Sequence, residues 1–536
     1  MKTDPTETLS APLLELVEFL RHTPLRHDEE LSESAETPFF LSKVSDRASA
    51  FYEKIRSAVD NKEEHFLRRH AIRRVVKRIG WYSADPALIT TTLFRELYRG
   101  GYLPKEHVSR HTEEEVRKTI EAFIRLNNAV RASVEVSEFI QLKSRLLDIV
   151  SGAIEDRLYV ATHDDPTVLT LVRIISDALS VEGYRGLTEE TMNKLVYFAA
   201  WRSLFGADSS LLVYKLWRME HPGWETAEEL DLLALGAVFP KFVSRSNRLL
   251  THPLGERMLP RIRNLAIAMT VVYEMVKRYE GSLGAILRDP NECDARVREI
   301  ITERYKKDLS RSRQRALRAL VYIFLTKALL AALVEAAYLS VWSGSLNGIA
   351  LAVNILFHPV LLFVLTLGLV VPGRHNTERL VQLIHQIVYG KLPYAIRIEA
   401  PRFGVMRDIA LAIYVAVLSA LFVGMTWALK KIGFHAVDIG IFFVFLALVV
   451  YFGFRIRYAA RGMELRGGRE GFLRSFVELL ALPVVSVGRW LVMKFERLNI
   501  VAIFLDFFIE LPLKLVLQFF DSFSKVLRET KEEIYS

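Results

Sequence analysis

Two kinds of apolar pattern divide the chain. From about Ala50 to Arg315, apolar residues recur at helical spacing between charged ones, as in "LVRIISDALSV" (Leu171–Val181), "MNKLVYFAAWRSLF" (Met192–Phe205) and "NLAIAMTVVYEMVKRY" (Asn264–Tyr279). Breaks fall at "SADP", "HDDP", "FGADSS", "EHPGW" and "RDPNE", where capping residues, glycine and proline end helices. No sustained strand-type alternation and no internal repeat accompany them. The pattern predicts an all-α domain of roughly ten helices. A leading helix, Pro12–His22, and a polar linker, "RHDEELSESAETP", precede it.

Beyond Arg315 the charges thin out and the apolar runs lengthen. Four runs reach spanning length: Leu317–Trp342, Gly348–Val371, Ile409–Leu429 and His435–Phe454. About 20 residues at roughly 1.5 Å each cover the ~30 Å of bilayer hydrocarbon. Trp342 and Trp427 fall at what should be one membrane face, as an aromatic belt would place them. After Phe454 the pattern becomes amphipathic. "FVELLALPVVSVGRWLVM" has ten uncharged residues between Glu478 and Arg489, with Pro483 among them, and suits an interfacial or re-entrant helix. Further on, Asp506, Glu510, Lys514, Gln518, Asp521, Lys525 and Arg528 share an arc of about 120° on a helix. That segment reads as an amphipathic helix in the inner interface, or as part of a further pair of spans with the polar face turned inward.

The expected architecture is therefore all-α in four parts. Residues 1–44 form the leading helix and linker, and 45–315 a cytoplasmic helical domain. Residues 316–455 form a four-span transmembrane bundle, and 456–536 amphipathic or re-entrant C-terminal helices.

Charge sharpens the division. Of the net +9, a net of +8 lies from Arg318 onward, where 23 basic residues face 15 acidic ones; the earlier part is nearly balanced. Positive charge on the apolar half is an orientation signal and argues against nucleic acid as a partner. "KKDLSRSRQRALR" precedes the first span, and Arg374, Arg379, Lys391, Arg397, Arg402 and Arg407 occupy the 372–407 loop. Arg455, Arg457, Arg461, Arg466, Arg469 and Arg474 follow the fourth span, whereas "SGSLN" has no basic residue and "KKIGFHAVD" has two. Positive-inside then places the helical domain, the long loop and both termini in the cytoplasm of a cell with an inner membrane. Cys293 alone permits no intramolecular disulfide, and the acidic opening residues have no long apolar core of the kind a cleavable signal carries.

The candidate chemistry is sparse. In "TKALLAALVEAA", Lys327 lies roughly 13.5 Å past Arg318, near the bilayer midplane, and Glu335 about 12 Å further. Both share a flank with Ala331, beside the stripe Ala328, Ala332 and Ala336, which lets a neighbouring helix approach closely. A midplane lysine costs at least roughly 2.5 kcal/mol and needs a partner, water or a snorkelling route. His358, beside Pro359 in the second span, falls within roughly 2 Å of the same depth. Asp506 and Glu510 are the carboxylates available if their helix inserts. The site then reads either as a proton or anion path, or as a structural lysine that fixes helix register.

In the helical domain, "EEHFLRRHAIRRVVKRIGWY" sets Arg69, Arg73, Arg74, Lys77 and Arg78 opposite a narrow stripe of Ile72, Val75, Val76 and Ile79. This basic surface could meet an acidic protein, anionic lipid or nucleic acid, or be neutralised by acidic helices such as "HTEEEVRKTIEAF". His107 and His111 have i, i+4 spacing, yet no third ligand follows at a metal-site spacing, so no metal or other cofactor is expected. The P-loop, dinucleotide, nucleophile-elbow, zinc-protease and kinase signatures are all absent, and the sequence nominates no catalytic residue.

The stretches "EEHFLRRHAIRRVVKR", "RALVYIFLTKALLAALVE", "NILFHPVLLFVLTLGLVVPGRHNT" and "FLDFFIELPLKLVL", with the ending "RETKEEI", resemble a family of uncharacterised multi-pass membrane proteins of bacteria with reduced genomes. The resemblance implies inner-membrane residence and a helical cytoplasmic domain, and no activity. The functional expectation is a membrane scaffold or envelope-assembly component, embedded in the bilayer, whose cytoplasmic domain binds a protein partner. The alternative is a small transporter or channel built around Lys327 and His358. Self-association into a homo-oligomer is compatible with either.

Overall fold

A computed structural model describes residues 9–22 and 64–497, except 81–83, 104–109, 160–163, 185, 280, 342–347, 368–371, 391–394, 400–404 and 466–471. The protein is all-α with almost no strand. Its contacts divide it into two units, Met1–Ile301 with Thr377–Pro401, and Thr302–Asn376 with Arg402–Ser536.

The first unit opens with α1 (Ala11–His22), α2 (Glu64–Ile79), α3 (Pro86–Arg99), α4 (Arg110–Ser133), α5 (Val136–Leu158) and α6 (Asp164–Ala178). After the strand β1 (Leu179–Glu182) come α7 (Glu189–Phe205), α8 (Ser209–Glu220), α9 (Glu229–Leu250), α10 (Pro253–Tyr279) and the single turn α11 (Leu283–Ile286). The breaks are those the cap chemistry demands. Asp85 accepts from the Ala87 amide at 3.0 Å with Pro86 at the first helical position, and Thr188 caps α7 in the same way. Gly206, at φ 61°, closes α7 in the left-handed conformation, and Asp208 then caps α8. The core gathers on Trp201, Trp217, Phe239 and Phe242. Two glycines set the closest helix approaches. A Cβ at Gly152 of α5 would lie 2.5 Å from the Tyr214 ring of α8, and one at Gly236 of α9 would lie 2.7 Å from the Ala129 backbone of α4.

Residues 377–401 fall in the stretch that reads in sequence as a loop between spans. They supply most of α14 (Arg374–Tyr389) and all of β2 (Ile396–Glu399) to this first unit. Ser10 donates from its amide to the Val388 carbonyl and from its hydroxyl to the Ile387 carbonyl, both at 2.7 Å, and so satisfies the C-terminal end of α14. β2 pairs in parallel with β1, Leu179 opposite Ile396 through Glu182 opposite Glu399. Four residues are too few for alternation to register against helical periodicity, so neither strand is legible in the sequence.

The second unit contains most of α12 (Pro290–Val341), with α13 (Gly348–Leu367), α15 (Val405–Ile432), α16 (Ala436–Ala460) and α17 (Phe472–Arg497). α12 runs for 52 residues without a break at the expected domain boundary near Arg315, because no glycine or proline occurs from Asn291 to Val341. Two helices among the described residues are long and apolar enough to cross a membrane, Ala412–Ile432 and Ala436–Ala460. They correspond to the third and fourth of the four expected spans. The apolar part of α13, Ala352–Leu367, falls short of spanning length, and most α12 side chains past Phe324 lie outside the described residues. α17 continues through Pro483 and Arg489 as one 26-residue helix, which contains the stretch expected to be interfacial or re-entrant. It packs against α16, where a Cβ at Gly488 would lie 2.2 Å from the Ala447 carbonyl oxygen.

Candidate functional site

The first unit encloses a lattice of matched charges. Arg69 of α2 is 3% exposed. Its two terminal nitrogens donate to Glu155 Oε2 on α5 at 2.7 Å and to Asp208 Oδ1 at 2.8 Å. Asp208 is also the N-cap of α8, accepting from the Leu211 amide at 3.0 Å, so one carboxylate joins a helix start to a neighbouring helix. One turn further on, Arg73 Nε donates to Asp148 Oδ1 at 2.9 Å. Asp148 accepts as well from Arg145 and from Ser210, each at 3.0 Å.

Further along α8, Lys215 is 4% exposed. Its ammonium lies 3.1 Å from Asp156 Oδ2 and 3.2 Å from Asp165 Oδ1, and 4.8 Å from the centre of the Trp201 ring. Arg218 bonds the same two aspartates, and the Tyr214 hydroxyl donates to Asp156 at 2.9 Å. Burial works to raise the Asp165 carboxyl, but Lys215 and Arg218 outweigh it and hold the group below its usual range. Glu155 goes the other way. Burial pushes it up to about 7 against the pull of Arg69 and Arg68, and its Oε1 is enclosed without a hydrogen bond. Beside the lattice, burial likewise raises the Asp164 carboxyl, which accepts from the Tyr273 hydroxyl at 2.5 Å.

The basic surface expected on α2 is thereby redistributed. Arg69 turns inward and is no surface residue, because α5 and α8 offer carboxylates on that side. Arg73 is half-buried on Asp148, and Arg78 pairs with Glu96 of α3. Arg74 and Lys77 stay exposed. The neutralising acids come from α3, α5 and α8, whereas "HTEEEVRKTIEAF" lies in α4 and supplies none of these partners.

In the second unit three helices share one register. Ala316 of α12 packs with Ile456 and Ala460 of α16. Two turns on, Ile323 packs with Leu362 of α13 and Val449 of α16. α12 is therefore antiparallel to both. α13 runs parallel to α16, since His358 meets Phe442 and Leu365 meets Gly453. Position 327 lies one turn beyond Ile323 and His358 one turn before Leu362, so the two share a level, as their depths in sequence predict. His358 is fully buried with Nε2 3.0 Å from the Phe442 carbonyl oxygen, its ring edge-on to that of Phe442 at 4.7 Å between centres. A carbonyl only accepts, so Nε2 carries the proton and ties α13 to α16. The side chains of Lys327 and Glu335 lie outside the described residues, as do Asp506 and Glu510.

His107 also lies outside them, and among the described residues no group of three His, Cys, Asp or Glu could hold a metal ion. The lattice around Lys215 went unnoticed in sequence, although "LLVYKLW" carries its signal, a lysine in the middle of an apolar run. No family model, no curated protein and no solved structure is significantly similar to this chain.

Proposed function

We propose that the chain is a multi-pass protein of a cytoplasmic membrane, whose first unit is a rigid helical scaffold for a protein partner. One observation carries the membrane half of the reading. In the apolar window of α15 only 6% of the residues are buried in the protein, and in that of α16 only 28%. The core helix of a water-soluble protein is enclosed by its neighbours, whereas here Ile413, Phe422, Val423 and Trp427 stand exposed. Hydrocarbon is the surroundings that suit them. The shared register supports the same reading, because α12 and α16 both change from apolar to basic at the level of Arg318 and Arg457. Residues 377–401 belong to the first unit, which favours an even number of crossings between α12 and α14.

The scaffold half rests on α9. Its buried side is Leu232, Gly236, Phe239 and Val243, yet Leu230 (82% exposed), Leu233, Ala234, Ala237 and Val238 form a second apolar stripe facing outward. The lattice beneath holds the neighbouring helices in one arrangement, which suits a docking platform. A pull-down of the full chain from native membranes tests this. A stoichiometric partner that is lost with Leu230→Asp and Leu233→Asp supports the scaffold; no stoichiometric partner, or one retained by both variants, overturns it.

A second reading is favoured by the shared level of position 327 and His358, namely a proton or anion path through the bundle. Labelling of Lys327→Cys in a Cys293→Ser background by an impermeant thiol reagent from either side would put that reading ahead.

A further inference from the structure

We infer that the basic ends of α12 and α16 bind an anionic phospholipid, with the phosphate held by arginines and an acyl chain laid along α12. The inference rests on the membrane reading above. One exposed face of α12 reads Lys306, Ser310, Arg313, Leu317, Val321 and Phe324 at steps of three and four residues. It turns from cationic to apolar at a single point, between Arg313 and Leu317. From Arg313 to Phe324 is roughly 16 Å along the helix, close to one leaflet of the ~30 Å hydrocarbon. Arg311, Arg315 and Arg318 flank this face and are exposed.

The packing of Ala316 on Ile456 and Ala460 sets Arg455, Arg457 and Arg461 at the same level. The acids nearby are few. Arg461 lies 3.9 Å from Glu464, and Asp308 feels the charges of Arg304, Lys307, Arg311 and Arg315 together. Among the described residues Lys306, Arg311, Arg313, Arg315, Arg318 and Arg457 form no ion pair, and Arg457 Nε is enclosed without a hydrogen bond. In the first unit, by contrast, clustered arginines have carboxylates to hand. A phosphodiester brings the missing acceptors in the geometry a guanidinium prefers, and juxtamembrane basic clusters draw anionic lipid. A nucleic acid or an acidic protein would satisfy the charge and leave the Leu317–Phe324 stripe unexplained.

The test uses the full chain in nanodiscs of equal phosphatidylglycerol and phosphatidylcholine, released and weighed by native mass spectrometry. The retained lipid is expected to be enriched in phosphatidylglycerol. The triple variant Arg311→Gln, Arg313→Gln, Arg315→Gln should lower that enrichment about tenfold or more. The variant Arg74→Gln, Lys77→Gln, exposed cations of the first unit, should leave it unchanged. Equal retention of both lipids by the wild type, or equal loss with both variants, overturns the inference. Release of the chain from membranes by alkaline carbonate would instead sink the membrane reading beneath it.

Discussion

In the first unit charged side chains such as Arg69, Lys215 and Asp148 are enclosed, each against an opposite charge, whereas in the second unit apolar side chains such as Ile413, Val423 and Trp427 stand open. Under the membrane proposal, the difference lies in the solvent each unit suits. A water-bathed helical unit can tolerate buried charge only where every carboxylate finds a donor, and the α2–α5–α8 lattice does so by sharing each of Arg69, Lys215 and Arg218 between two carboxylates. A lipid-bathed bundle gains nothing from hiding leucine and phenylalanine, so its helices are held by close backbone approach and by single hydrogen bonds between helices. Gly488 against Ala447 and His358 against Phe442 are those devices here.

Breaking the lattice should produce the largest effect. Lys215→Met leaves Asp156 and Asp165 with only the half-exposed Arg218 between them, and should destabilise the first unit by about 3–5 kcal/mol. Urea unfolding of the full chain in detergent, followed by far-UV circular dichroism, reads this directly. A loss below about 1 kcal/mol would mean the lattice is not holding the helices.

Next comes a pH effect of definite sign. Glu155 is raised from 4.5 to about 7 by burial, so the folded unit holds its proton more tightly than the unfolded chain does. Its contribution is complete below about pH 4.5 and is lost as pH rises through 7, on the order of 3 kcal/mol in all. Asp165 has the opposite sign, since its contribution disappears only as pH falls below 3.8. Glu155→Gln should therefore flatten the stability profile between pH 5 and 8 and leave the acid limb alone. A profile with the same slope in wild type and variant would contradict the assignment.

In the second unit, Gly488→Leu places atoms where the Ala447 carbonyl stands and should cost about 1–3 kcal/mol by forcing α16 and α17 apart. The thermal transition of the second unit should fall while that of the first holds, and unchanged melting would mean the two helices do not touch there. The smallest effect belongs to Arg74→Gln with Lys77→Gln. These two exposed cations of α2 should change stability by less than about 0.5 kcal/mol, against several for Arg69→Met.

That last contrast shows where a sequence reading stops. Arg69, Arg73, Arg74, Lys77 and Arg78 look alike on one helical wheel, and what separates them is the position of Glu155, Asp208 and Asp148 far along the chain. Helix ends were legible because Asp85–Pro86 and Gly206 act locally. The shift of pattern past Arg315 was legible too, as was the common level of position 327 and His358, since rise per residue suffices for both. The β1–β2 pairing was not, because it joins two four-residue segments more than 200 positions apart. Nor was the bond from His358 to a backbone carbonyl on α16, since every residue has such a carbonyl and only packing chooses among them.

The most direct test of the account asks whether the second unit has two wet faces with hydrocarbon between them. The shared register sets Ser310 and His435, both exposed, at opposite ends of the apolar helices, separated by more than the ~30 Å of bilayer core. Ser310→Cys and His435→Cys, each in a Cys293→Ser background, are labelled in sealed vesicles with an impermeant thiol reagent. Labelling of the two positions from opposite sides is the predicted result. Labelling of both from one side would mean that α16 does not cross the membrane, and would contradict the account.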